Sequence, residues 1–474
     1  MKPHLFIRFI LTTLCCMATV FETWADVRLP IIFSDNMVLQ QGKPVKIWGT
    51  AAPQESVIVQ FQQQTHRTTA DINGNWSITL TPLTATKTQQ QLSVEGEKNS
   101  IVLRNILIGE VWLASGQSNM EYSMNNHQQY SKPKRGDANY QSKAFRKANS
   151  PLIRTLHVKR RLDADTLPSL GWTTLSQKTL APVSAVAYFF AKTLTDNLDV
   201  PVGIISTSWG GTEIETWMTA GARFQKMVRP MIPFAIKGFL WYQGEANLIK
   251  GDEEQYCYKQ QTLVESWREA WQDTTLSFYY VQLAPYTYSQ RRGDPVSHTW
   301  EALPRFWEVQ YACMQHIPRS GMAQTTDLVD DVTDIHPPYK WIVGERLARW
   351  ALAKDYGKNQ LVCMGPALKN YRIAGDKIIV DFDNADSGLT TNDGQAPNRF
   401  EISDKSGMFR KADASIEGKT VVLSNANIKE PYFVRYAWDE VAVPNLFNRD
   451  GLPALPFTTY SATPLYHHQD QRIE

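Results

Sequence analysis

From about residue 106, apolar strand-like runs alternate with helix-like segments, and the first run breaks at a glycine followed by a lone serine. That run is Gly109-Glu110-Val111-Trp112-Leu113-Ala114-Ser115-Gly116, and Gln117-Ser118-Asn119-Met120 follows it. A strand this apolar must be covered on both faces, which a chain achieves by crossing over through helices. Further strand-like runs fall at 202–208, 236–242 and 278–283, and helical patterns at 184–197, 256–271, 300–315 and 339–356. The alternation predicts a doubly wound α/β domain, with chemistry at the C-terminal ends of its strands.

The flanks read differently. Residues 1–25 combine basic Lys2 and Arg8, an apolar run and a small-x-small site at Thr23-Trp24-Ala25, the pattern of an export signal. The run is too short to span a bilayer, so a periplasmic or secreted bacterial protein is expected. Residues 26–105 hold short alternating runs separated by turns such as Asn73-Gly74, which predict a β-sandwich-like domain. The catalytic domain is expected over 106–360 and a β-rich domain over 361–474.

A net charge of +2 gives no reason to expect nucleic acid or an anionic membrane as partner. Fifteen tryptophans and nineteen tyrosines fit either core packing or stacking on sugars. Neither HExxH nor CxxC occurs, and no metal or organic cofactor is called for. Beyond the signal only Cys257, Cys313 and Cys363 remain, consistent with one disulfide plus a thiol or with three thiols. Nothing in the sequence fixes the oligomeric state.

A glycine turn that ends a buried strand and starts a helix is a way to present a hydroxyl nucleophile. Ser118 would then need a base, a carboxylate and oxyanion donors. Among His66, His127, His157, His298, His316, His336, His467 and His468, only His336 stands out. It lies in Asp334-Ile335-His336-Pro337-Pro338, where the prolines hold a loop before a helix. Asp334 is two residues away, so a turn can bring its carboxylate to the imidazole. Donors are offered at two other strand ends, by Gly210-Gly211 after 202–208 and by Gln243 or Asn247 after 236–242. Glu245 is a second candidate carboxylate for His336.

The order Ser118, Gly211, Asn247, His336 resembles the four blocks of the SGNH (GDSL-like) hydrolase superfamily. Gly-Gln-Ser-Asn-Met at 116–120, Ser-Trp-Gly-Gly-Thr at 208–212, Trp-Tyr-Gln-Gly-Glu-Ala-Asn at 241–247 and Asp-Ile-His-Pro at 334–337 resemble the sialate O-acetylesterase family, as does Leu29–Gln40. The resemblance implies a three-layer α/β/α hydrolase that removes acetyl groups from sugar hydroxyls through an acetyl-enzyme. Ser118 would be the nucleophile, His336 the base and Asp334 its orienting acid, with Ser118, Gly211 and Asn247 forming the oxyanion hole. Gln117, Trp209, Trp241, Gln243 and Arg346 are candidate neighbours of the sugar. The Asp-x-His spacing, where SGNH enzymes have Asp-x-x-His, keeps Glu245 open as the acid. The stretch 213–240 is short where many members carry a long insertion, so the acetylated sugar, sialic acid or xylan, stays open. Two other classes are a glycosidase using Glu110 and Glu245 and a non-catalytic glycan-binding protein.

Overall fold

The computed structural model describes residues 26–126 and 132–460. The expected signal segment 1–25, with His127, His467 and His468, lies outside them. The N-terminal strands are β1 (Val38–Gln40), β2 (Val45–Thr50), β3 (Ser56–Phe61), β4 (Gln64–Thr69), β5 (Asn75–Leu80) and β6 (Thr86–Glu95). They lead into β7 (Ser100–Gly116), which ends at the serine turn.

β7 changes character along its length. Residues 100–105 alternate in exposure, whereas 106–116 are buried throughout. Asn105 marks the change, with a left-handed φ of 56°. The first half pairs antiparallel with β6 and keeps a solvent face, while the second enters a sheet covered on both sides. The boundary expected between 105 and 106 therefore falls inside one strand. A single apolar core runs from Val27 through the α/β region to Ala367. Trp172 fastens the regions by donating its indole N–H to the Ile32 carbonyl at 2.8 Å.

The remaining strands of the central sheet are β8 (Ile153–Val158), β9 (Ser169–Thr174), β10 (Val202–Ser208), β11 (Gly238–Tyr242), β12 (Ser277–Val281) and β13 (Ser320–Ala323). Their order is β13-β12-β11-β7-β10-β8-β9. Neighbours are parallel from β13 to β8, and β9 closes the edge antiparallel. With β6 antiparallel on β7, the sheet is mixed rather than purely parallel.

The helices are α1 (Ser118–Glu121), α2 (Tyr140–Arg146), α3 (Gln177–Leu180), α4 (Ala185–Leu198), α5 (Glu245–Ile249), α6 (Tyr256–Trp271), α7 (Ala302–His316) and α8 (Lys340–Lys354). Helix α4 starts where Ser184 Oγ accepts the Ala187 N–H at 3.2 Å, an N-cap. It packs against α8 at Gly344, where a Cβ would stand 2.6 Å from the Val186 carbonyl oxygen. Residues from Leu368 to Phe457 build a second core between C-terminal strands. Gln324 joins this region to the catalytic one, donating to the Pro453 carbonyl at 2.6 Å and accepting the Gly365 N–H at 2.7 Å. Cys257, Cys313 and Cys363 are buried free thiols. Among the described residues no helix is long and apolar enough to cross a membrane.

Gly116 closes β7 with a φ of 142°, and a Cβ there would lie 2.1 Å from the Tyr242 carbonyl oxygen. Relaxing both strain and clash means moving β7 away from β11. Gly116→Ala is expected to destabilise the protein by more than about 3 kcal/mol, read as a lower urea midpoint. An unchanged midpoint would show that the approach is not tight.

Candidate active site

Three parallel strands end side by side. Gly116 of β7 is paired with Ser208 of β10 on one side and with Tyr242 of β11 on the other. The Gln117 N–H donates to the Tyr242 carbonyl at 2.9 Å, and the Trp209 N–H to the Gly116 carbonyl at 3.0 Å. Ser118 therefore opens α1 at the C-terminal edge of the sheet, where first-turn N–H groups have no acceptor within the helix. It is half-buried on the wall of a cavity of about 520 Å³ that it shares with Glu121, His157, Lys159, Arg160 and Ser208. Gly210 lies directly against it, since a Cβ on Gly210 would be 3.3 Å from Ser118 Cβ. The Gly210 N–H donates to Glu121 Oε2 at 2.7 Å. Gly211 follows in the left-handed region at φ 71°, open on its Cβ side.

The His336 loop is strapped at several points. Arg346 holds Asp327 with two 2.7 Å bonds, and Asp330 accepts from the Lys134 N–H at 2.7 Å, Arg135 Nε at 3.0 Å and the Tyr339 hydroxyl at 2.5 Å. Asp334 closes a turn by accepting the His336 N–H at 2.8 Å. The same Oδ1 stands 3.8 Å from His336 Nδ1, an electrostatic contact longer than a hydrogen bond.

Asn119 brings the two loops together. Its Nδ2 donates to the Ile335 carbonyl at 3.0 Å and to Glu245 Oε1 at 2.6 Å, while its Oδ1 accepts from Lys340 Nζ at 2.5 Å. The residue after Ser118 is thus bonded to the residue before His336. Lys340 is fully buried at the first turn of α8, its ammonium 4.8 Å from the Tyr122 ring centroid and 5.5 Å from that of Tyr242. Burial lowers its pKa to about 7, against the pull of Glu245 and Asp334. Burial raises that of Glu245, which Asn119 and Lys340 oppose. Burial also lowers His336 to about 4, with Lys340 adding to the shift and Asp334 opposing it.

The expected donor roles of Asn247 and Gln243 are corrected, and the other expected residues take the following places. Asn247 is buried, and its Nδ2 is committed to Glu215 at 3.1 Å and Asp252 at 2.9 Å, leaving no N–H for an oxyanion. Gln243 likewise donates to the Thr212 carbonyl at 3.0 Å and to Asn247 Oδ1 at 2.7 Å. Arg346 is buried, with its guanidinium spent on Asp327 and the Gln324 carbonyl. Gln117 is buried and accepts the Ala246 N–H at 3.2 Å. Trp209 is half-buried with the Arg223 guanidinium 4.7 Å over its ring, and Trp241 is core, edge-on to Trp217 and Trp267. Glu245 spends one carboxylate oxygen on Asn119. Glu110 lies six residues before Gly116 on β7, on the order of 20 Å from the catalytic edge by strand rise, and accepts from Gln40 and Gln41. Glu110 and Glu245 cannot flank one glycosidic bond.

Comparison with known proteins adds the family. The model of the carbohydrate esterase family of sialic acid-specific acetylesterases matches residues 108–353, from the buried half of β7 to the end of α8. The chain belongs to this family. A carbohydrate acetylesterase from Xanthomonas citri is 31% identical, superposes with a TM-score of 0.82, and is matched over 92% of this chain and 100% of its own. Human sialate O-acetylesterase is 26% identical over 75% of this chain and 77% of its own length. The mouse protein is 27% identical over 86% of this chain and 88% of its own. The chain is a carboxylic ester hydrolase, and its family acts on acetyl esters of sugars.

Sequence reasoning gave Asn119 no role beyond flanking Ser118, and it missed Lys340 altogether. A lysine at the first turn of a helix opposes the helix dipole, and that mismatch is the one local sign that Lys340 has another task. Glu121, Lys159 and Arg160 were also missed, the last two because only the fold sets them beside Ser118.

Two expectations follow. Asn247→Ala takes one donor from Glu215 and Asp252, which both keep Lys259, and leaves without its acceptor the Ile214 N–H, which donates to Asn247 Oδ1 at 3.0 Å. It is expected to cost about 1–3 kcal/mol of stability while lowering turnover of an aryl acetate less than about tenfold, far short of the 10²–10³ for a lost oxyanion donor. Denaturation and kinetics on the folded fraction check this. Because the His336 pKa is depressed, only the unfolded chain takes its proton as pH falls from 6.5 towards 4, and stability declines across that window. Imidazole NMR is expected to show His336 neutral at about pH 5.5, and Lys340→Met to raise its midpoint. A midpoint unmoved by Lys340→Met would separate the two groups.

Proposed function

We propose that this chain is a serine O-acetylesterase of the SGNH type, with helices on both faces of the parallel sheet, and that its substrate is an O-acetylated sialic acid. The observation that carries the mechanism is the Asn119 bridge, which ties the turn of Ser118, a residue on the wall of the cavity of about 520 Å³, to the His336 loop. Ser118 Oγ attacks the acetyl carbonyl while neutral His336 takes its proton. The N–H groups of Ser118 and Gly211 receive the negative charge that develops on the carbonyl oxygen. His336 returns the proton to the departing sugar hydroxyl, then activates a water that releases acetate from Ser118. Asp334 stabilises the imidazolium as it forms, which offsets the burial that otherwise keeps His336 neutral.

Lys159 and Arg160 on the cavity wall support an anionic sugar. Arg160 is paired with Glu121 at 3.1 Å, so among the described residues of the wall Lys159 is the cation left for the carboxylate of sialic acid. The names of the mammalian relatives agree with this reading. Export belongs to the same proposal and rests on the pattern at 1–25.

Ser118→Ala is expected to lower turnover of an aryl acetate by several orders of magnitude and to abolish labelling by a serine-directed phosphonate. Near-normal turnover would remove the serine mechanism. Acetate release from O-acetylated sialic acid and from acetylated xylan tests the substrate. Lys159→Ala should raise KM on the sialate about tenfold, roughly 1.4 kcal/mol, and leave xylan unaffected. Release from xylan alone would replace sialic acid with a neutral glycan.

A further inference from the structure

A second cavity of about 630 Å³ opens at the edge of the C-terminal β region and shares no lining residue with that of Ser118. Its walls include Trp300, Asn398, Arg399, Glu401, Arg435 and Asp439. Trp300 is 43% exposed, unusual for so large an apolar side chain. The Arg435 guanidinium lies 5.3 Å from its ring centroid and 4.2 Å from that of Phe409, which fixes one wall of the cavity. Arg435 is itself held by Glu401 at 2.7 Å and Glu301 at 3.5 Å.

The chemistry is that of a site for a neutral polyhydroxylated ligand. Arg435 is neutralised by its two carboxylates. The wall carries Arg399 and Lys411 beside Glu401 and Asp439, and Glu301 is shared between Arg435 and Arg305, so charges of both signs meet there and no field of one sign selects a polyanion or a polycation. Sugar hydroxyls need donors and acceptors together, and guanidinium, carboxamide and carboxylate supply both. The axial C–H face of a pyranose needs an aromatic platform, which Trp300 offers. A concave site with a few convergent polar groups around an aromatic ring is the usual form of a ligand pocket.

Its place in the fold links it to catalysis. Trp300 lies on the 282–301 segment that leaves the C-terminal end of β12, the same edge at which β7, β10 and β11 end. On this segment the Thr287 N–H donates to the Val332 carbonyl at 3.0 Å, four residues before His336. The segment is pinned to the C-terminal region where the Trp300 carbonyl accepts the Glu440 N–H at 3.2 Å and Glu440 Oε2 accepts the Ser289 N–H at 3.0 Å.

We propose that the Trp300–Arg435 cavity is a second carbohydrate-binding site, which holds a neutral stretch of glycan while an acetylated residue is presented to Ser118. That it serves deacetylation rests on the esterase reading above; that it binds sugar does not.

Affinity electrophoresis of the full chain carrying Ser118→Ala separates the two, because binding is read without turnover. The gels contain deacetylated xylan, glucomannan or desialylated mucin glycan, with a glycan-free gel as the control for folding and charge. Retardation is expected in at least one glycan gel. Trp300→Ala should reduce that retardation at least about fivefold and Arg399→Ala at least about twofold, with no change in the glycan-free gel after correction for charge. No retardation in any gel, or retardation that both variants keep, would overturn the proposal. Loss of acetate release by the wild-type chain would instead count against the esterase reading and leave the binding result standing.

Discussion

The site hangs on the carboxamide of Asn119. One side chain meets the Ile335 carbonyl, the Glu245 carboxylate and the buried Lys340 amine, and so joins α1, α5, α8 and the His336 loop. A carboxamide can do this because it donates twice and accepts through one oxygen. Burying Lys340 and Glu245 without such a bridge would leave two charged groups without close partners in an apolar setting. The bridge also sets the electrostatics around His336, since Lys340 is among the causes that keep the imidazole neutral.

The sheet makes that bridge possible. Parallel pairing of β10, β7 and β11 brings Ser208, Gly116 and Tyr242 into one row, and each following loop starts from the same edge. Gly116 allows the backbone of β11 to approach within a distance no side chain would tolerate. The N-terminal strands extend the same core instead of forming a separate one, because β7 belongs to both regions. The C-terminal strands have their own core and meet the catalytic region through polar ties such as Gln324.

The alternation of apolar runs and amphipathic segments made most of the α/β region legible. The runs at 202–208 and 256–271 coincide with β10 and α6, because burial on both faces and helical periodicity leave marks within a single segment. The antiparallel edge at β9 and the passage of β7 between regions were not legible, since strand partners are chosen across the sheet. Asn247 shows the same limit at the site. Its place after a strand end suggested an oxyanion donor, but its N–H groups turn to Glu215 and Asp252, which pairing and packing bring to it.

The sequence by itself determined the chain's family, the strand-and-helix rhythm of its catalytic region, and Ser118 and His336 as residues to watch. Each is written in local order: a glycine turn, a run of apolar residues, a histidine before two prolines. Only the tertiary structure decided that Asn119 and Lys340 join those residues, that Asn247 and Gln243 are held as scaffold, and that Trp300 meets Arg435 on a second cavity. These are contacts between segments far apart in the chain, and hydrogen-bonding capacity goes to whichever partner packing brings within about 3 Å.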